Sequence, residues 1–395
     1  TGAVTTNAHV VLESPPSVEK VDAKIENNDR PLVMQVSAAC EESLTDIAQK
    51  MLKISDIPEP EFRQLAIACA TQKSHLNHRA WLQGDSPEDI LKGLKALAKG
   101  QRRADQLVYG HHEKSKVMFV YTGMGPQWWA MGRELYKKEP VYRNAIDECD
   151  RLFIKISGWS ILNELNSDEG ASRITDTNIA QPANLVVQVG ITRLLASWGI
   201  RAEGIMGHSI GEVAAAWASG GLSLKNALTV AYHRSRLQHT TAGKGAMLAV
   251  GLAPEEAAHW VEEFGEKVSI AAINSPSAVT LAGDQLTLES MAAKLEEQQC
   301  FNKFLNVEVP YHSPVMDEIE TELLNALDNI KTEKRHTPLI STVTGEEMSG
   351  DHDAGYWWKN VRQSVLFSKA ISTALASEYS VFVEIGPHPV LASSI

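Results

Sequence analysis

The chain has 395 residues, of which 44% are hydrophobic and 22% are charged, a composition typical of a globular protein with two or three cores. Its formal net charge of −12 disfavours a nucleic-acid partner. We expect no membrane span and no signal peptide, because apolar runs are short and the first residues lack a basic-then-apolar pattern. Four scattered cysteines favour a reducing, cytoplasmic location and indicate neither a metal site nor a disulfide framework: Cys40, Cys69, Cys149 and Cys300.

The first 115 residues carry no evident chemistry. Residues 1–14 contain a strand-like run at 9–12, and residues 15–30 form a polar linker. Residues 31–110 predict a small α/β unit with a strand at 32–36, helices at 43–54 and 61–73, and a strand near Trp81. A further helix is predicted up to residue 98, with Ser86 as its N-cap and Pro87 as its first residue.

A second core is predicted from residue 116. The apolar run 117–121 is typical of a strand buried on both faces, and Gly123-Met124-Gly125 follows it. Helices are expected around 129–137, 140–154 and 183–198, before a short buried strand at 204–206. This alternation predicts a mainly parallel sheet with its site at the carboxyl ends of the strands.

Residues 245–308 follow another order of elements. We predict strand 246–251, helix 254–265, strands 268–274 and 278–283, helix 286–299 and strand 303–308. This βαββαβ order is ferredoxin-like. It indicates an insertion, because the larger domain resumes at Val309 and closes with a strand at 381–385.

The segment Gly207-His208-Ser209-Ile210-Gly211 carries the most specific chemical signal. It fits the G-x-S-x-G nucleophile elbow, in which glycines flank a serine at a sharp strand-to-helix turn. A serine nucleophile needs a base. His312 is the best candidate, because Pro310 and Pro314 hold it in a rigid segment, although an exposed loop histidine remains the alternative.

Other residues can complete such a site. Ile210 N–H is the usual oxyanion donor of an elbow, and the loop around Met124 could supply the second, unless it is only a tight turn. His208 is expected to shape the elbow, since adjacent side chains on a sharp turn point apart. Arg234 could bind a substrate carboxylate or be a surface charge, as Arg236 could be.

Together these segments resemble the acyltransferase domain of a type I polyketide synthase, to which animal-type fatty acid synthase is related. The resemblance covers nearly the whole chain. Matching segments are 119–128 (FVYTGMGPQW), 181–183 (QPA), 207–212 (GHSIGE), 234–235 (RS), 274–276 (NSP), 311–314 (YHSP), 356–358 (YWW) and 383–391 (VEIGPHPVL). The resemblance implies an α/β fold, with an α/β-hydrolase-like large subdomain (116–244 and 309–395) and an inserted ferredoxin-like small subdomain (245–308). It also implies that residues 1–14 end a ketosynthase domain and that 15–115 are the ketosynthase–acyltransferase linker domain.

The resemblance further implies a ping-pong reaction. Ser209 would take an acyl group from acyl-coenzyme A, with His312 as base, and pass it to the phosphopantetheine thiol of an acyl carrier protein. A backbone carbonyl would orient the histidine, and no cofactor would be tightly bound. Many relatives have Gly-Gln-Gly where this chain has Gly-Met-Gly, which matters little if the donor is the Met124 N–H. The residues implied for substrate binding are Arg234, which pairs with the extender carboxylate, and Gln127, Gln181, Tyr311 and His208.

The extender unit is expected to be malonyl. In the family an aromatic residue before the catalytic histidine accompanies malonyl, and Tyr311 is aromatic. Ile210 also fits malonyl better than the glutamine of many methylmalonyl relatives. Excluding one methyl group contributes only about 1–3 kcal/mol, so methylmalonyl specificity stays an alternative.

Three other functions compete with this interpretation. A serine esterase or thioesterase fits the elbow alone, but it predicts a carboxylate partner for the histidine and no carboxylate-binding arginine. A non-catalytic docking module would not need Ser209, His312 and Arg234 intact. A nucleotide-binding protein would need a phosphate loop, and residues 123–125 lack the glycine and lysine that should follow.

Overall fold

A computed structural model of the chain describes residues 31–54 and 57–395. The described residues belong to two units, one ending at Lys114 and the other running from Ser115 to Ile395. The strand-like run at residues 9–12 and the linker at 15–30 lie outside the described residues. Within the described ranges, none of the helices has the length and apolarity that crossing a bilayer requires.

The first unit is a four-stranded antiparallel sheet with three helices. Its elements are β1 (Leu32–Ala38), α1 (Glu41–Met51), α2 (Glu59–Thr71), β2 (His78–Gly84), α3 (Pro87–Ala98), β3 (Arg103–Ala104) and β4 (Leu107–His111). The sheet order is β1-β2-β4-β3. Ser86 caps α3 as predicted, because its Oγ accepts from Asp89 N. The sequence analysis did not predict β3 and β4.

The second unit begins with β5 (Lys116–Tyr121), α4 (Arg133–Lys138), α5 (Pro140–Ser157), α6 (Ile161–Leu165), α7 (Thr177–Ser197), β6 (Gly204–Gly207), α8 (Gly211–Ala218) and α9 (Leu224–His239). Next come β7 (Ala246–Val250), α10 (Pro254–Phe264), β8 (Val268–Ser275), β9 (Ala278–Gly283), α11 (Gln285–Glu297) and β10 (Asn302–Phe304). The last elements are α12 (Glu320–Leu327), β11 (Leu339–Ser341), β12 (Glu346–Glu347), α13 (Ala354–Arg362), α14 (Phe367–Ala376) and β13 (Tyr379–Ile385).

These strands form two sheets. The larger sheet has the order β12-β11-β6-β5-β13, and all neighbours pair in parallel except β12 with β11. The smaller sheet is antiparallel and has the order β10-β7-β9-β8, the strand order of a ferredoxin-like sheet. Both β5 and β6 end where the candidate site begins, as expected for a mainly parallel sheet.

Helix α7 begins six residues before the predicted start at residue 183. An interior proline removes the hydrogen bond to the carbonyl four residues earlier. In the structure Pro182 lies inside α7, and the carbonyl of Asn178 accepts from Ser235 Oγ at 3.5 Å. A partner from α9 therefore replaces part of the lost bond.

Two more predicted elements are shorter in the structure. Helix α4 starts at Arg133 rather than near residue 129, because the positive φ angles of Ala130 and Gly132 interrupt the helical backbone. The strand predicted at 303–308 ends at Phe304. Beyond it, Val307 N donates to Leu305 O, a local turn that stops pairing with β7.

Candidate active site

Ser209 lies on the turn between β6 and α8, in the left-handed region with a φ of 53°. Both flanking glycines are required there. A Cβ on Gly207 would lie 2.3 Å from the carbonyl carbon of Gly211, and a Cβ on Gly211 would lie 2.2 Å from Tyr121 O. The close approach of three backbone segments thus explains the G-x-S-x-G pattern.

His312 is in contact with this serine. Its Nε2 lies 2.8 Å from Ser209 Oγ, and its Nδ1 lies 2.9 Å from the backbone carbonyl of Gln363. Since a carbonyl only accepts, Nδ1 carries the proton and Nε2 is free to accept from the serine hydroxyl. The third member of the arrangement is therefore a backbone carbonyl and not a carboxylate.

The environment keeps the imidazole neutral. Burial, the positive charge of Arg234 and the neighbouring His208 lower the pKa of His312 to about 3. His312 also has a φ of 60°, so both members of the serine–histidine pair adopt a backbone conformation that side chains other than glycine rarely take.

Arg234, on α9, contacts the same serine. Its Nη2 donates to Ser209 Oγ at 3.0 Å, while the rest of the guanidinium donates to neutral amides. These are Asn360 Oδ1 from Nε at 3.1 Å, and Gln181 Oε1 and Gln238 Oε1 from Nη1 at 2.6 and 2.9 Å. Arg234 is 1% exposed, and burial lowers its pKa to about 10, so the group is still charged at neutral pH.

A cavity of about 270 Å³ opens beside the serine. Its walls come from the end of β5, the elbow, the smaller sheet and the C-terminal segment. Ser209, His312, Met124, His208 and Tyr311 line it. Most of the remaining wall is apolar and consists of side chains such as Met247, Ala249, Leu305 and Val307.

Two backbone N–H groups beside Ser209 are candidate oxyanion donors. Among the hydrogen bonds of residues 31–54 and 57–395, none is donated by the backbone N–H of Met124 or of Ile210. Met124 lines the cavity, and Ile210 directly follows Ser209 at the start of α8. A Cβ on Gly123 would lie 2.8 Å from His208 O, so only glycine lets the Met124 loop approach the elbow this closely.

Tyr311 and His208 are held by polar partners. The Tyr311 hydroxyl lies 2.5 Å from Thr177 Oγ1. His208 Nε2 lies 2.9 Å from Asn274 Oδ1, and because Asn274 Nδ2 donates to Thr280, that oxygen is the acceptor. Burial lowers the pKa of His208, so the ring is neutral and joins the elbow to the smaller sheet.

Gln127 and Gln181, which the resemblance placed along the substrate pocket, are not among the residues lining this cavity, and neither is Arg234, which reaches Ser209 Oγ from its buried position on α9. Gln127 Oε1 accepts from Gly125 N at 2.8 Å and so braces the Met124 loop. Gln181 is fully buried and contacts Arg234 and Gln238. Both glutamines therefore hold other residues of the site in place and do not line the cavity.

The sequence analysis assigned no role to three residues of the site. Gln363 contributes only a backbone carbonyl, and Asn360 Nδ2 donates to Ser209 O at 3.2 Å from 151 positions away. Glu212 is buried and bonds to Thr342 and to the Tyr356 hydroxyl, and burial raises its pKa. Glu212 and Tyr356 both lie in segments that carry the family resemblance, 207–212 and 356–358, and this was the sequence signal for their contact.

The described residues hold no group of three or more His, Cys, Asp or Glu side chains placed to bind a metal ion. The side chains and backbone groups around Ser209 suggest one kind of chemistry. A neutral histidine paired with a serine hydroxyl, two unpaired N–H groups and a buried cation suit acyl transfer through a serine ester.

Residues 118–395 match the family model described as acyl transferase domain. The chain belongs to this family. Relatives of this acyl transferase domain include erythronolide synthase EryA2 of Saccharopolyspora erythraea, 30% identical over 393 residues, 99% of this chain and 11% of the relative. Polyketide synthase GfsA of Streptomyces halstedii is 34% identical over 391 residues, 98% of this chain and 5% of the relative.

Solved structures agree with this assignment. The acyltransferase domain from module 8 of the salinomycin polyketide synthase superposes with a TM-score of 0.87 at 30% identity, covering 92% of this chain and 87% of that one. The chain thus has the mixed α/β fold of polyketide synthase acyltransferase domains. It spans about a tenth or less of the length of the two curated relatives.

Proposed function

We propose that this acyltransferase domain loads a malonyl extender unit from malonyl-coenzyme A onto the phosphopantetheine thiol of an acyl carrier protein. The observation that carries the proposal is the placement of His312 Nε2 and Arg234 Nη2 at 2.8 and 3.0 Å from the same oxygen, Ser209 Oγ. One oxygen is thus in contact with both a base and a cation that can hold a substrate carboxylate.

The first half-reaction follows from this geometry. His312 Nε2 takes the hydroxyl proton as Ser209 Oγ attacks the thioester carbonyl carbon. The oxyanion that forms is stabilised by the N–H groups of Met124 and Ile210, each worth about 10²–10³ in rate by analogy with known oxyanion holes. The carbon–sulfur bond then breaks, and the coenzyme A thiolate takes the proton from His312.

The second half-reaction is the reverse with a different thiol. His312 removes the proton from the phosphopantetheine thiol, and the sulfur attacks the acyl-serine ester. When the ester bond breaks, Ser209 Oγ recovers its proton from His312. The Gln363 carbonyl keeps Nδ1 protonated throughout, so Nε2 always faces the reacting atoms.

The buried charge of Arg234 supports a substrate with a free carboxylate. A buried ion is costly unless it is paired, and each partner of this guanidinium is neutral. A malonyl carboxylate would provide the missing counter-ion through a charge-assisted pair worth about 1.5–3 kcal/mol. This cation also disfavours the esterase and thioesterase alternative, which has no use for it.

The shape of the site favours a malonyl group over a methylmalonyl group. Tyr311 presents an aromatic ring to the cavity, and its hydroxyl is tied to Thr177, so the ring cannot easily move away from an α-methyl group. Ile210 follows the nucleophile, as the malonyl assignment expects. A higher kcat/KM for methylmalonyl-coenzyme A than for malonyl-coenzyme A would show methylmalonyl specificity instead.

The parent protein is proposed to be a cytoplasmic multidomain polyketide synthase whose ketosynthase domain precedes this chain, so that residues 1–14 end the ketosynthase and 15–115 form the linker domain. The division of the chain at Lys114 supports the second boundary. Residues 116–244 with 309–395 would form the large subdomain and 245–308 the small one, in agreement with the two sheets of the second unit.

The ratio of acyl transfer to hydrolysis distinguishes an acyltransferase from an esterase. We would incubate the protein with malonyl-coenzyme A and a holo acyl carrier protein and measure malonylated carrier and free malonate. The proposal predicts that carrier is the main product and that Ser209→Ala forms neither. Malonate as the main product, at every carrier concentration, would identify a hydrolase.

A further inference from the structure

One short segment of the chain contacts all three reacting groups. Asn360, near the end of α13, accepts from Arg234 Nε through its Oδ1 and donates to Ser209 O through its Nδ2. Three residues later the carbonyl of Gln363 accepts from His312 Nδ1. Residues 360–363 therefore hold the arginine, the nucleophile and the base relative to one another.

The amide of Asn360 satisfies both contacts of residue 360 because it has a donor and an acceptor. A carbonyl such as Ser209 O can only accept, so its partner must donate, whereas Arg234 Nε can only donate and needs an acceptor. The two distances are 3.2 and 3.1 Å, and Asn360 is 3% exposed. An aspartate has the same shape but would lose the donor to Ser209 O.

The charge of an amide matters as much as its geometry. Within the described part of the chain, Arg234 hydrogen-bonds to three amide oxygens and one hydroxyl, and to no carboxylate. A carboxylate at residue 360 would lie within hydrogen-bond distance of the guanidinium and neutralise its charge. An amide fixes the orientation of the cation and leaves its charge for the ligand.

We propose that Asn360 is a positioning residue that sets the preference of the site for acyl groups bearing a free carboxylate, by orienting the Arg234 cation beside Ser209 without neutralising it. The inference rests on the proposed loading of such acyl groups. It adds a specificity determinant on α13, outside the segments that carry the nucleophile, the base and the arginine.

The test is the Asn360→Asp variant assayed with malonyl-coenzyme A and acetyl-coenzyme A separately. The rate of Ser209 acylation is followed by intact mass. We expect acylation by malonyl to fall about 100-fold, the size of one lost charge-assisted pair, because the new carboxylate occupies Arg234 and repels the substrate. The lost donor to Ser209 O slows both substrates alike, so it cancels in the malonyl-to-acetyl ratio.

Two control variants separate charge from structure. Lys359→Gln makes the same change in net charge on the exposed neighbouring residue and should leave the ratio within about two-fold of wild type. Asn360→Ala removes both hydrogen bonds without adding a charge, so it should slow both substrates and lower the ratio less than Asn360→Asp does. Where Asn360→Asp does not fold, Gln238→Glu places a carboxylate on Arg234 Nη1 and should lower the ratio in the same way.

Equal slowing of both substrates in folded Asn360→Asp, or an unchanged ratio in folded Gln238→Glu, would overturn the inference while leaving the proposed function intact. A wild-type protein that takes up no malonyl group would instead contradict the proposed function, and the inference with it. The wild-type measurement thus distinguishes the two failures.

Discussion

Two residues with positive φ, Ser209 and His312, have their Oγ and Nε2 atoms 2.8 Å apart. A non-glycine residue in this region costs about 1–3 kcal/mol and persists only where surrounding contacts fix it. Here the carbonyls of both residues are bonded, Ser209 O by Asn360 Nδ2 and His312 O by Ser269 Oγ at 2.9 Å. The strain is thus balanced by polar contacts to the same backbone units.

Removing the cation should change substrate choice. Arg234→Ala is expected to lower kcat/KM for malonyl-coenzyme A by about 100-fold, because a charge-assisted pair is lost, and to affect acetyl-coenzyme A much less. The matched control is Arg236→Ala, two residues along α9, which pairs with Glu322 instead. Steady-state kinetics with both donors measure the effect. Equal losses with both donors would show that Arg234 does not bind the acyl carboxylate.

The low pKa of His312, about 3, predicts an unusual pH profile. A general base acts in its neutral form, and a lowered pKa means that this form persists as the pH falls. Between pH 8 and 5, kcat/KM for malonyl-coenzyme A should therefore change by about two-fold or less, whereas an ordinary imidazole of pKa about 6.5 would lose most of its base form. An inflection between pH 6 and 7 in the wild-type profile would contradict the assigned environment.

At the scale of elements, the elbow depends on close packing of the β6–α8 turn against the end of β5. A side chain at Gly211 would lie 2.2 Å from the backbone oxygen of Tyr121, a contact that no rotamer change can relieve. Gly211→Ala should thus destabilise the protein by about 3 kcal/mol and abolish acylation. Gly170→Ala is the control, because its Cβ would meet nothing within 4 Å.

Thermal unfolding and Ser209 acylation of the two glycine variants are the measurements. We expect Gly170→Ala to stay within about 0.5 kcal/mol of wild type. If Gly211→Ala keeps wild-type stability and acylation, the packing argument for the elbow is wrong.

Local patterns explain which parts of the site could be predicted from the sequence. The elbow is five consecutive residues, and its glycines report backbone crowding directly, so Ser209 was found. From the residues alone, two flanking prolines were the signal for His312, and the resemblance at 311–314 added the role of base; its contact with Ser209 spans 103 positions. The carbonyl of Gln363 has no signature in a sequence, since every residue has a carbonyl.

The predicted bounds of two elements differ from the structure for two different reasons. Helix α7 continues through Pro182 because Ser235 on another helix supplies a donor. The strand expected at 303–308 stops early, and the segment up to Tyr311 folds into turns beside the cavity. A contact from another helix thus accompanies the longer helix, whereas a local turn, Val307 N to Leu305 O, ends the strand.

At the scale of the whole molecule, each residue assigned to the site lies between Ser115 and Ile395. A protein trimmed to residues 115–395 should therefore still acylate Ser209 with malonyl, at a rate within about ten-fold of the full chain. Intact mass after a short incubation measures this. Loss of acylation in a trimmed protein that remains folded by circular dichroism would mean that the first unit contributes to the site.

The proposed function requires that Ser209 carries a malonyl group during catalysis. The most direct measurement is the intact mass of the protein after incubation with an equal mixture of malonyl-, methylmalonyl- and acetyl-coenzyme A, with Ser209→Ala in parallel. We expect a malonyl adduct on the wild type and none on Ser209→Ala. A methylmalonyl adduct would contradict the extender assignment, and an adduct that survives Ser209→Ala, or no adduct at all, would contradict acyl transfer through Ser209.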